Sequence, residues 1–417
     1  MTAYFDALET REPAVRERDL FEKLPSFMAR AMTQAEGLKR WLGDIDPQSI
    51  DSRSALASLP VLRKQDLMSA QADNPPFGGF AAADALRGNR VFMSPGPVWE
   101  PQGFGADPWQ AARGLFAAGF RAGDIVHNAF SYHMTPGAFI LDEGARAMGC
   151  LVFPAGVGNT DSQVEAAAKL RPTAYTGTPD FLKIMLDRAV ESGLDLSSIT
   201  HAMVSGGALF PSLRDEYYLR GIKTLQCYAT ADIGVIAYES AANDGSPYPG
   251  MILNENLILE IVRPGSGEPV VDGEVGEVVV TCLNEAYPLI RFATGDLSAV
   301  VEGPSPCGRT NTRIAGWMGR ADQRTKIKGM FVDPKQVDAV MKRHPEIARA
   351  RLVVSRADNQ DSMTLHVEAG SGVDLDAASI SATLSDVTRL KGDVVGVVAG
   401  SLPNDGKVIA DERNYEN

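Results

Sequence analysis

The chain of 417 residues reads as an α/β protein: a large N-terminal domain of mixed α/β sheets with an antiparallel subdomain, followed by a small α+β C-terminal domain. Three observations predict this. Between Gly105 and Arg220 apolar strand-like runs alternate with amphipathic segments, the rhythm of strands joined by right-handed crossovers. From Leu257 to Thr281 two apolar runs flank the turn Pro264-Gly265-Ser266-Gly267-Glu268-Pro269, a hairpin signal. Beyond Asp322 the pattern becomes helix, strand, strand, helix, strand, so the predicted domains are 1–321 and 322–417.

Composition bounds the function. With 44% hydrophobic and 22% charged residues the chain has enough apolar content for more than one core. A formal charge of −13 argues against nucleic acid or an anionic membrane surface as the main partner. A small anionic substrate would then need a local basic site. The N-terminal residues carry charges of both signs without a signal-peptide core, and no run has membrane-span length, so a cytoplasmic protein is expected. Cys150, Cys227, Cys282 and Cys307 lie far apart and read as reduced thiols; five histidines weaken a metal-centre reading.

Taken in order, Val15, Leu20, Leu24, Phe27, Met28 and Met32 recur at helical spacing, with an interruption expected at Pro25. Residues 59–67 read as a loop that starts a helix at Arg63. Residues 90–101 read as a strand followed by a turn rich in proline and glycine, in which Pro95, Pro97 and Pro101 have no N–H to offer. Helices are expected from Trp109 to Phe120 and Gly137 to Met148, with strands at Asp124 to Phe130 and Cys150 to Pro154. The turn at 130–134 follows a strand, where ligands of open α/β sheets bind; His133 there reads equally as a hydrogen-bonded loop residue.

A strand at 201–205 runs into the glycine turn Gly206-Gly207-Ala208, whose glycines let a flat ring approach the backbone. The next strand, from Leu225, ends at Asp232; a lone Asp after a strand reads as a helix N-cap. Arg291 to Asp296 is an apolar run closing on one carboxylate that can accept hydrogen bonds from ribose hydroxyls. Gly319 to Gly329 crowds four cations between apolar segments, as a solvated connection does. Either cluster alone reads as surface loop.

Together, R-F-A-T-G-D at 291–296 and G-R-A-D-Q-R-T-K-I-K-G at 319–329 resemble the adenylate-forming acyl-CoA synthetases, the phenylacetate-coenzyme A ligase branch in particular. The resemblance extends over nearly the whole chain, through L-P-V-L-R-K-Q-D-L at 59–67, P-A-G-V-G-N-T at 154–160 and G-T-P at 177–179. It implies ATP, Mg2+ and coenzyme A as cofactors and a small carboxylic acid as substrate. The activity implied is an ATP-dependent acid:CoA ligase that makes an acyl-adenylate and then a thioester, from an aryl or other compact acid.

The roles it implies fall on particular residues of this chain. Asp296 holds the ribose; Gly206, Gly207 and Ala208 back the adenine, and Tyr228 stacks on it beside Ala229 and Thr230. Asp232, where the family has Glu, is the catalytic magnesium ligand. Ser94 and Gly96 are what remains of the phosphate loop, which lacks its threonines and its closing lysine. Arg320, in preference to Arg291, lies near the phosphates, and Lys328 joins the nucleotide set. Tyr132, His133, Ile233 and Tyr238 line the acid pocket. Asp322 is the hinge of the C-terminal domain and Lys407 the adenylation lysine. A homodimer contact through the N-terminal helices is also implied. The alternative, prompted by the altered loop, is a catalytically impaired adenylate- or CoA-binding protein that no longer uses ATP; loading of a separate carrier protein is a third reading.

Overall fold

The computed structural model describes residues 4–413 except 208, 265, 322–324, 329, 358–359, 371–374 and 404–407. Two compact units divide the chain, Met1–Met318 and Gly319–Asn417.

In the first unit the strands are β1 Leu62–Arg63, β2 Val91–Ser94, β3 Val98–Pro101, β4 Ile125–Asn128, β5 Leu151–Pro154, β6 Ala174–Gly177, β7 His201–Val204, β8 Lys223–Thr230, β9 Gly234–Tyr238, β10 Met251–Leu253, β11 Leu257–Val262, β12 Gly276–Cys282, β13 Leu289–Ser298, β14 Val300–Val301 and β15 Arg313–Ile314. A nine-stranded sheet runs in the order β14-β15-β10-β9-β8-β7-β6-β4-β5. Its β5-β4-β6-β7-β8 half is parallel, joined by the helices Gly137–Ala147, Thr160–Leu170, Pro179–Ser192 and Pro211–Leu219, as the strand-helix rhythm predicts. Strand order reverses at β4, so the carboxyl ends of β4, β6, β7 and β8 border a crevice of the kind in which open sheets bind ligands.

A second sheet, β1-β13-β12-β11, is antiparallel except for β1, which pairs parallel with β13 through Leu62 with Phe292 and Arg63 with Ala293. β11 and β12 are buried on both faces, which explains their unbroken apolar runs. The N-terminal helix Pro13–Gln34 supplies one cover, packing Leu20, Leu24, Phe27 and Met28 into the same core as Ile258 and Val280. It runs through Pro25 without ending there, contrary to expectation; the break comes at Ala35, in extended conformation. The buried apolar stripe on both sides of the proline outweighs one lost backbone bond.

In the second unit β16 Thr325–Ile327 and β17 Met330–Val332 form a hairpin, and β18 Ile347–Ala357, β19 Gln360–Ala369, β20 Asp393–Val397 and β21 Ile409–Asp411 form a sheet in the order β20-β19-β18-β21. Helices Pro334–Arg343 and Ala377–Thr388 bury Val337, Val340, Ile380 and Leu384 against Leu352 and Leu365. This is the α+β pattern read from the sequence. Among the described residues no helix is long and apolar enough to cross a membrane.

Candidate active site

The two sheets of the first unit meet at the end of β8. Tyr228 reaches across to β13: its hydroxyl donates to Asp296 Oδ2 at 2.8 Å and lies 3.1 Å from Thr294 Oγ1. Asp296 is only 8% exposed, and its other oxygen, Oδ1, accepts from Trp317 Nε1 at 3.0 Å. A carboxylate has about four acceptor sites, of the kind to which ribose hydroxyls donate. Trp317, which donates to it, is 57% exposed.

Beside Tyr228 lies the glycine turn. Gly206 adopts φ +71°, and a Cβ there would come 3.6 Å from the Phe130 ring. Gly207 is tied to β8, its carbonyl accepting from Gln226 Nε2 at 3.1 Å. Ala208 lies outside the described residues. Gly206 and Gly207 thus follow β7 beside the last residues of β8, Tyr228, Ala229 and Thr230, and Tyr228 reaches Thr294 and Asp296 within β13.

The phosphate-loop position differs from expectation. β2 and β3 pair Phe92 with Glu100 and Ser94 with Val98, so alternation puts Phe92, Ser94, Val98 and Glu100 on one face, which is buried. Ser94 is turned inward and its hydroxyl donates to Glu100 Oε1 at 2.6 Å, which corrects its assignment as a phosphate ligand. Gly96 stays exposed at the tip. Glu100, 2% exposed, faces Asp232, 7% exposed, and the two carboxyl groups are within hydrogen-bonding reach. Burial and then the Asp232 charge push the Glu100 carboxyl up to about 9. Asp232 Oδ2 pairs with Lys64 Nζ at 3.2 Å. Lys64 follows β1, whose parallel pairing with β13 sets it near the Thr294–Asp296 end. The donor set around Asp232 contains only oxygens apart from Lys64, and Asp232 Oδ1 is buried without a hydrogen-bond partner, which fits a hard cation such as magnesium.

Of the four residues expected to line an acid pocket, Tyr132 and His133 share one turn and Ile233 and Tyr238 lie in the interior. Tyr132 is half-buried; its hydroxyl donates to Asp142 Oδ2 at 2.7 Å and accepts from Asn128 Nδ2 at 2.9 Å, while its ring stands edge-on to Phe139 at 5.2 Å. His133 is exposed, its N–H donating to Ser131 Oγ, and the neighbouring Met134 carbonyl accepts from Met93 N, tying this turn to β2. Ile233 is buried in the core. Tyr238 is a correction: it is 1% exposed, and its hydroxyl donates to Glu9 Oε1 at 2.7 Å, in a network that also holds Arg309. That interior carboxylate, not a ligand, occupies its polar end.

Arg291 is also a correction. It is fully buried with φ 48°, pairs with Glu260 at 2.9 Å, and donates to the carbonyls of Ala57, Leu59 and Gly267. A guanidinium with that many partners is a structural clamp. Arg320 and Lys328 belong to the second unit; Lys328 is exposed with φ 48°, and its N–H donates to Asp361 Oδ2. Asp322 and Lys407 lie outside the described residues. Lys64 and Glu100, beside Asp232, and Trp317, beside Asp296, are candidates that the sequence alone did not single out. Lys64 had a signal, since it is the lysine of the motif at 59–67.

A buried carboxylate where two sheets meet, a glycine turn beside an aromatic strand and a facing pair of carboxyl groups make up this region, and the comparisons with known proteins give the class, an adenylate-forming enzyme. The family of AMP-binding enzymes matches residues 110–282. The phenylacetate-coenzyme A ligase of Thermus thermophilus is 31% identical over 366 residues, covering 83% of this chain and 80% of that one. That of Escherichia coli is 28% identical over 441 residues, covering 98% and 95%. The chain belongs to the phenylacetate-coenzyme A ligase family of AMP-forming acid–CoA ligases. Its fold also matches a crystal structure of 2-hydroxyisobutyryl-CoA ligase in complex with 2-HIB-AMP and CoA, with a TM-score of 0.72 at 24% identity, covering 99% of this chain and 93% of that one.

Proposed function

We propose that the protein joins an aryl or other compact carboxylic acid to coenzyme A, using ATP. A carboxylate is a poor electrophile, so the acid must first be activated. Its oxygen attacks the α-phosphorus of ATP, pyrophosphate leaves, and an acyl-adenylate remains. The thiol of coenzyme A then attacks the acyl carbon, AMP departs with the bonding electrons, and the thiol proton passes to solvent.

In this reading Asp296 accepts from the ribose hydroxyls, held in place by Tyr228, and Gly206 and Gly207 leave room for the adenine. Asp232 would hold magnesium, which would supply positive charge opposite the phosphates. The adenylation lysine and the hinge are assigned to Lys407 and Asp322 from the resemblance alone. What supports an aryl or compact acid is the wall of rings, Phe130, Tyr132 and Phe139, near the strand ends. Positioning and electrostatics are the main contributions such a site makes.

The observation that carries the reading is the buried Asp296, engaged by Tyr228 at the meeting of the sheets. The test is a panel of aryl and short-chain acids incubated with ATP, Mg2+ and coenzyme A, with the products followed by mass spectrometry. Acyl-CoA with equimolar AMP is expected for at least one acid. AMP binding without any acyl-CoA would overturn the reading.

A further inference from the structure

Two oxygens beside the hairpin have no donor. Glu100 Oε1 accepts from Ser94 and Asp232 Oδ2 from Lys64, but Glu100 Oε2 and Asp232 Oδ1 are both buried and unpartnered. The Tyr287 hydroxyl, 2% exposed and beside both carboxyl groups, also makes no hydrogen bond of good geometry; Gln71 nearby is committed to the N–H and C=O of Trp99. Buried oxygens in this state are costly, and these three belong to side chains close enough to interact with one another, which calls for a shared partner.

Charge says which kind. With a proton on Glu100, the Asp232 and Lys64 charges offset each other, and the hairpin from Val91 to Pro101 holds no lysine or arginine, so a triphosphate would meet no net positive charge here. A divalent cation that takes the place of that proton would supply it, and carboxylate, hydroxyl and water oxygens are the donors that Mg2+ takes.

We propose that Glu100 is a second carboxylate ligand, with Asp232, of the divalent cation, and that this cation supplies the phosphate-facing charge that no side chain of the hairpin provides. The inference rests on the reading of Asp232 as the magnesium residue. A proton shared between the two groups would satisfy the same oxygens, and the experiment separates the two cases.

The full-length protein, free of nucleotide, is titrated with Mn2+ and free Mn2+ is followed by electron paramagnetic resonance, with Mg2+ as competitor. Wild type is expected to bind one Mn2+, and E100Q, which keeps shape but not charge, to bind it at least about tenfold more weakly. Lys64→Met, which removes the cation competing for Asp232, is expected to tighten Mn2+ binding severalfold. Wild type that takes up no Mn2+ at millimolar concentration, or E100Q that binds as wild type does, would overturn the inference. Acyl-CoA formation measured alongside keeps the two claims apart. If wild type makes acyl-CoA while E100Q retains Mn2+ affinity, Glu100 is no ligand and the ligase reading stands. If Mn2+ binding depends on Glu100 and no acid gives product, the cation site stands and the ligase reading falls.

Discussion

Tyr228 and Asp296, 68 residues apart in sequence, are joined by a 2.8 Å hydrogen bond that ties the nine-stranded sheet to the four-stranded one. The contact sets the orientation of the carboxylate assigned to the ribose. Tyr228→Phe is expected to destabilise the protein by ~2 kcal/mol, the usual worth of a bond to a charged group. It is also expected to weaken AMP binding, and Asp296→Asn to weaken it by roughly ten- to a hundredfold. Calorimetric titration with AMP measures both affinities, and chemical denaturation gives the stability.

Trp317 occupies the second oxygen of the same carboxylate from an exposed position. A ribose taking up this corner must share it with the indole or displace it. AMP is therefore expected to change the intrinsic fluorescence of the wild type, and Trp317→Phe to lose most of that change although three of the 4 tryptophans remain. An unaltered signal in the variant would place the reporting tryptophan elsewhere.

Glu100 makes stability depend on pH. Its carboxyl is pushed up to about 9 from an ordinary 4.5, so between those values the folded state holds a proton that the unfolded state has lost. Stability therefore falls as pH rises across that interval, by at most ~1.4 kcal/mol per pH unit. Thermal unfolding in EDTA from pH 5 to 9 is expected to show this decline in the wild type, and E100Q to flatten it. At pH 8 the variant should be the more stable protein.

Cys307 is the thiol set apart by its surroundings. Burial alone would raise it, but hydrogen bonds involving Ser240, Ser305 and Arg309 outweigh that and hold it below the usual range. Burial pushes Cys150 up to about 11, and Cys227 and Cys282 to about 12. Cys307 also lines a polar cleft of about 670 Å3 together with Arg121 and Tyr248. Iodoacetamide at pH 7.5 is expected to label Cys307 first, and peptide mapping by mass spectrometry reads the order.

Part of the site was legible because Asp232 follows the end of β8 and Gly206 and Gly207 mark a turn with a positive φ at Gly206, whereas Tyr228 and Asp296 lie inside β8 and β13, not in the turn expected after Arg291. What was not legible depends on pairing across long separations. Lys64 meets Asp232 across 168 residues because two-residue β1 pairs with β13, and so short a strand leaves no periodic signal. Glu100 was overlooked because the loop was read for the lysine it lacks, not for the alternation that turns Ser94 and Glu100 to the same face. Tyr238 was misplaced since all five residues of β9 are buried, so alternation could not tell a pocket from the interior. Pro25 misled because local propensity yields to a well-buried helix face.

The most direct measurement is calorimetric titration of the purified protein with Mg-ATP and, separately, with AMP, since it requires no knowledge of the acid. An AMP-forming ligase whose cation site offsets the altered hairpin is predicted to bind Mg-ATP at least as tightly as AMP. Binding of AMP with no binding of Mg-ATP would contradict the account, showing a site that accepts the adenylate but not the triphosphate.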